Sequence, residues 1–169
     1  MTSKPDLIIR PALRTDASGI LSAHRAAVLV SAQNAYDQAV LDEWAATESP
    51  ERLAFVRTEI ASSNIIVLVA EVGGRVVGFA MAVPEASELR AVYVHADFGG
   101  QGIGARLLDA LEGLAAERGA LELAMDASLN AVAFYQRMGY QVVAYGEHEL
   151  RSGARMKCAR MRKMLKRRP

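Results

Sequence analysis

The stretch Ala91-Val92-Tyr93-Val94-His95-Ala96-Asp97-Phe98-Gly99-Gly100-Gln101-Gly102-Ile103-Gly104-Ala105 decides the fold. Its opening residues are β-branched, aromatic or small and read as the end of a strand. Gly99, Gly100, Gly102 and Gly104 then make a turn in which little but backbone is present. Beyond it Ile103, Leu107, Leu108, Leu111 and Leu114 fall on one face at helical spacing, and Arg118 with Gly119 closes that helix. Strand, glycine-rich turn and helix start therefore follow one another.

Upstream of this unit, Leu7-Ile8-Ile9-Arg10 before Pro11 predicts a short first strand. A helix follows, with Thr15 or Asp16 as cap and Ile20, His24, Ala27 and Val28 on one face. The region from Tyr36 to Trp44 reads as less regular. Pro50 suits the first turn of another helix, whose inner face is sketched by Leu53, Val56, Arg57 and Ile60. The β-branched run Ile65-Ile66-Val67-Leu68-Val69, Gly73-Gly74 and Val76-Val77-Gly78-Phe79 read as a hairpin, and Ser87 to Val94 extends it to an antiparallel meander. Downstream come a strand at Leu121 to Met125, a helix from Ser128 to Met138, and two strands, Gln141 to Leu150 and Met156 to Met164, joined across Ser152-Gly153. The expected architecture is α/β, a single mixed twisted sheet of about seven strands with about four helices in the order β-α-α-β-β-β-α-β-α-β-β.

At 169 residues the chain fits one domain spanning 1–169, and 51% apolar against 23% charged residues is the composition of a globular protein with a sizeable core. A net charge of +1 offers no long-range field for nucleic acid or anionic membrane, so neither is expected as a partner. The local exception is the basic C-terminal stretch, Lys157, Arg160, Arg162, Lys163, Lys166, Arg167 and Arg168, read as a solvated edge strand and tail. Cys158 has no partner for a disulfide, and no apolar run reaches the ~18 residues of a membrane span. A cytoplasmic location is expected.

The glycine-rich turn carries the chemistry. Consecutive side-chain-free N–H groups, reinforced by the positive end of a helix, form a concavity that holds a pyrophosphate without any basic side chain. A nucleoside triphosphatase loop needs Lys followed by Ser or Thr after its last glycine, and Ala105-Arg106 stands there instead. Gly100, Gly102 and Ala105 do satisfy the dinucleotide pattern G-x-G-x-x-A, with Asp126 downstream for a ribose, which keeps a nicotinamide-dependent oxidoreductase open. Against that reading, the strand ends near Val94, several residues before the first useful glycine, and too little chain remains for the usual parallel sheet.

Gly99 to Gly104 resembles the Q/R-x-x-G-x-G/A signature of the GNAT acetyltransferase superfamily, and Phe134-Tyr135 followed by Met138-Gly139-Tyr140 resembles its F-Y-x-x-x-G-F motif. The two lie in the family's order and spacing. The resemblance implies the acyl-coenzyme A N-acyltransferase fold and acetyl-coenzyme A as co-substrate. It implies that Val92, Tyr93 and Val94 flank the pantetheine arm through their backbone. Gly99, Gly100, Gln101, Gly102, Ile103, Gly104 and Ala105 would hold the diphosphate, and Tyr135 would protonate the departing thiolate. Two departures stand out: Gly99 replaces a usual Arg or Gln, and the family's asparagine falls on Ser128, with Asn130 two positions on. Ser128 and Asn130 both remain candidates for the pantetheine.

A proton acceptor is needed because an ammonium must become an amine before it attacks. Glu88 occupies the family's position for it, and a surface ion pair between Glu88 and Arg90 is the competing reading. Cys158 has no activating neighbour in sequence, and His24, His95 and His148 lack ligand-like spacing, so neither an acyl-cysteine nor a metal site is expected. Tyr36, Asp37, Asp42, Glu43, Trp44 and Glu48 lie where the family builds its acceptor pocket, and such groups suit a cationic amine. The expected activity is acetyl transfer to a primary amine, a small molecule or a protein N-terminus, with a non-catalytic coenzyme A-binding module as the alternative. A homodimer stays open.

Overall fold

In the computed structural model, residues 6–45 and 47–166 are described, and Arg167 and Arg168 of the basic tail lie outside them. The chain runs β1 (Leu7–Pro11), α1 (Ala17–Ser31), α2 (Gln38–Trp44), α3 (Pro50–Ala61), β2 (Ile66–Val72), β3 (Arg75–Val83) and β4 (Glu88–Val94), then α4 (Ile103–Glu117), β5 (Glu122–Ser128), α5 (Val132–Arg137), β6 (Gln141–Glu149) and β7 (Arg155–Met164). The seven strands form one mixed sheet in the order β1-β2-β3-β4-β5-β7-β6. Its pairs are antiparallel except β4 with β5. This is not the doubly wound parallel sheet of a dinucleotide fold.

Alternation along β2 explains the layering. Leu68 and Ala70 face α4, whose Leu107, Leu108 and Leu111 are wholly buried beside them. Val67 and Val69 face the other way, into a cluster with Ile20 and Leu21 of α1, Val56 of α3 and Phe79. Each large aliphatic side chain so buried stabilises the fold by about 1.5–3 kcal/mol. Gly78 lets α4 approach: a Cβ there would stand 2.9 Å from the Tyr93 carbonyl and 3.2 Å from Leu107. Gly73 and Gly74, at φ 57° and 79°, supply the left-handed pair that joins β2 to β3.

Several local expectations are corrected. The segment thought irregular forms α2, started by the Asp37 carboxylate, which accepts from Val40 N at 3.1 Å. Neither Thr15 nor Asp16 caps α1 by a side chain; Asp16 instead accepts from Leu13 N and is gripped by Arg10. Arg57 is exposed, so the inner face of α3 is Leu53, Val56 and Ile60. The basic strand β7 is internal, between β5 and β6, because the final hairpin folds back against β5. With α2 the described residues hold five α-helices, one more than the four expected.

Candidate active site

Among the described residues β4 and β5 share one registered pair, Glu88 with Ala124, beside which Ala124 N donates to Ser87 O at 2.8 Å. Past that rung the strands diverge. Val92 and Val94 pair with Ala80 and Gly78 of β3 on one side, leaving the edge toward β5 without a strand partner. On β4, Ala91 faces Met81 while Leu89 faces Ala82, so Arg90 is the extra residue of a bulge, which bends the strand. The opening is a cleft of about 1330 Å³ that takes in β4, the glycine loop, α5 and the β5 and β7 strands.

The loop's geometry follows from its composition. Phe98 N donates to His95 O at 2.9 Å and Gly99 N to Ala96 O at 3.1 Å, tightening the approach. Gly100 and Gly102 then take φ 70° and 77°, left-handed values that glycine adopts without strain. The first α4 donor beyond the loop with a backbone partner is Arg106, on Gly102 O at 3.1 Å. Among the described residues the N–H groups of Ile103, Gly104 and Ala105 have no backbone partner, and Gly102 at the N-cap brings no side chain to consume them. Gly104 lies against Phe134, whose ring would be 3.4 Å from a Cβ, so the loop and α5 meet closely. Gly99 is extended at φ −63°, and Gln101 is exposed.

Tyr135 enters the cleft from α5. Its ring meets Phe134 edge-on at 5.1 Å and Tyr140 at 5.7 Å, and its hydroxyl makes no hydrogen bond among the described residues. Burial pushes its phenol well above the usual value, which keeps the proton on the oxygen at neutral pH. Ser128 ends β5 at the N-cap position of the 3-10 turn Leu129–Ala131 without capping it through its side chain, and both Ser128 and Asn130 line the cleft. Tyr93 stacks on Phe79 at 5.5 Å and meets His24 edge-on at 4.6 Å, on the α1 side of the sheet. Burial raises its phenol to about 12, so the ring belongs to the core, and its backbone is what the strand offers.

Glu88 accepts from Arg90 Nε at 3.0 Å, and Arg90 Nη1 reaches Glu59 of α3 at 2.7 Å. Both readings of Glu88 thus coexist: it is ion-paired and it also lines the cleft. The acidic residues of the α1–α3 region are otherwise engaged. Asp37 caps α2, Asp42 accepts from Gln38, Glu43 holds Ser152 N and Oγ at 2.8 and 2.5 Å, and Glu48 holds Ser18 at 2.6 Å. Tyr36 crosses to the far wall, donating to Lys157 O at 2.5 Å and accepting from Leu129 N at 2.8 Å. The sequence reading missed what β5, β6 and β7 bring: Asp126, His148, Arg160 and Arg162 all line the cleft.

Residues 31–165 match the family model described as the acetyltransferase (GNAT) domain. A GCN5-related N-acetyltransferase from Rhodopseudomonas palustris shares 32% identity over 98% of both chains, with a TM-score of 0.79. Two more distant solved structures share the fold. The PaiA N-acetyltransferase of Thermoplasma acidophilum, solved with coenzyme A, is 19% identical over 94% of this chain and 99% of its own, TM-score 0.72. The yncA protein of Salmonella typhimurium, solved with its cofactor acetyl-CoA, is 23% identical over 97% and 96%, TM-score 0.70. No curated protein matches the chain.

Proposed function

Because this chain belongs to the GNAT acetyltransferase family, we propose that it moves the acetyl group of acetyl-coenzyme A directly to a primary amine in a ternary complex, as one domain, in the cytoplasm. The acceptor is a small amine or a protein N-terminus. One observation carries the reading: the unpaired edge of β4, the free amides of Ile103, Gly104 and Ala105, and the Tyr135 hydroxyl all open on the same cleft.

These residues fit the co-substrate. A pantetheine amide docks on the free Val92–Val94 edge as an added strand would. The loop from Gly99 through Ala105 takes the diphosphate through main-chain donors at a helix start. The thioester supplies the acyl group, and holding it beside a bound amine provides the larger part of the acceleration through orientation. Tyr135 gives its proton to the sulfur as the carbon–sulfur bond breaks, a role for which a buried, protonated phenol is suited. Glu88 is the candidate proton acceptor on β4, and to act it must give up its hydrogen bond from Arg90.

Thiol release from acetyl-coenzyme A across a panel of amines tests the proposal, with coenzyme A binding followed separately by thermal shift. Turnover on at least one amine is expected. Stabilisation by coenzyme A with no turnover on any amine would favour a binding module instead, the reading supported by the engagement of Glu88 with Arg90.

A further inference from the structure

The face of β5, β7 and β6 that lines the cleft carries a pair of groups to which no role has been given. His148 Nδ1 lies 3.4 Å from Asp126 Oδ2, and the other Asp126 oxygen lies 3.7 Å from Arg160 Nε. Asp126 is opposite Arg160 in register and His148 opposite Met156, so the imidazole reaches back along the face to the carboxylate. Gly146 lies beside the Arg160 guanidinium, which a Cβ there would meet at 3.5 Å in ordinary contact. Both His148 and Asp126 line the same cleft as Tyr135.

We propose that His148, oriented by Asp126, is the group that takes the proton from the acceptor ammonium. This rests on the acetyl-transfer reading and names a catalytic residue within it. With Nδ1–H directed at Asp126, the Nε2 lone pair is left free for the substrate. Glu88, by contrast, is occupied by Arg90 Nε, and Arg90 by Glu59. A neutral imidazole is chemically suited to accept a proton from an ammonium. His148 shares its face with Cys158 and Arg160 of β7 and Asp126 of β5, with Glu147 and Glu149 flanking it on β6. Across the cleft stand Glu88 and Arg90 of β4, and Arg137 and Tyr135 of α5. The step balances: one ammonium proton passes to His148 Nε2, the nitrogen–carbon bond forms and the carbon–sulfur bond breaks. The sulfur takes the Tyr135 proton, the nitrogen's surplus proton restores the phenol, and the imidazolium discharges to water in the open cleft.

The test compares wild type, H148Q, H148A, D126N and E88Q on the fastest amine from a panel of spermidine, free amino acids and an alanine-terminated peptide. Wild-type kcat/KM should fall on the acid side, a limb absent from H148Q and kept by E88Q. H148Q should lose about 10²-fold or more in kcat while its melting temperature, and the rise given by coenzyme A, stay as in wild type. D126N should lose less and keep the limb, and added imidazole should restore part of the activity of H148A. An acid limb that survives in H148Q, or kcat within threefold of wild type, overturns the assignment and leaves acetyl transfer standing. No wild-type turnover on any amine would remove both.

Discussion

The Tyr36 hydroxyl and the Lys157 carbonyl, 121 positions apart, are joined by a hydrogen bond of 2.5 Å, and the same oxygen receives Leu129 N at 2.8 Å. A residue between α1 and α2 therefore spans the gap that the diverging strands leave, and Trp44 supports its ring edge-on at 5.7 Å. Tyr36→Phe removes both bonds and strands the Leu129 donor. It should cost about 1–3 kcal/mol by denaturant unfolding and raise amide exchange at residues 129–131. A change confined to α2 would contradict this bridging role.

Gly102 has φ 77°, and a Cβ placed there meets nothing within 4 Å. Gly102→Ala therefore acts through the backbone alone, at about 1–2 kcal/mol of strain. Calorimetric titration should show coenzyme A bound more weakly, because the loop relaxes and re-aims its free amides, while Gly119→Ala, at φ 92° beyond the far end of α4, leaves affinity unchanged.

Tyr135→Phe preserves the ring contacts with Phe134 and Tyr140 and deletes only the hydroxyl. Steady-state assays should give a kcat lower by about 10²-fold with coenzyme A affinity unaltered. Since burial raises the phenol, any basic limb that reports on it lies above the ordinary value near ~10.

His24 is packed among Trp44, Phe79 and Tyr93, and burial, with Arg52 nearby, depresses its imidazole to about 4. The unfolded chain takes up this proton near pH ~6.5, whereas the folded one resists until about 4, so stability is lost as pH falls through that interval. Urea unfolding at pH 7 and pH 4.5 should show wild type losing up to about 3 kcal/mol more than His24→Phe. Equal losses in both proteins would place the acid sensitivity elsewhere.

Much of this was legible locally. The stripe from Ile103 to Leu111 and the glycines before it fixed strand, turn and helix, because both signals are complete within a few residues. The run Ile65 to Val69 announced a hairpin strand, found as β2 at Ile66–Val72, for the same reason. What escaped depends on register across strands far apart in sequence. Asp126 meets Arg160 only because the last hairpin docks on β5, and that same docking turned a supposed edge strand into an interior one. The acids between Asp37 and Glu48 looked like a cation site by composition, yet Ser18, Ser152 and the start of α2 consume most of them. Short α2 was hidden because its seven residues hold barely two turns of periodicity.

The lone rung between Glu88 and Ala124 makes the sheet two half-sheets hinged at one point, with β1 to β4 on one side and β5, β7 and β6 on the other. Whatever molecule lies in the fork finishes the architecture as a keystone finishes an arch. Occupancy is then felt along the whole seam, and the empty protein should breathe there first, with the two halves parting while each keeps its own ladder.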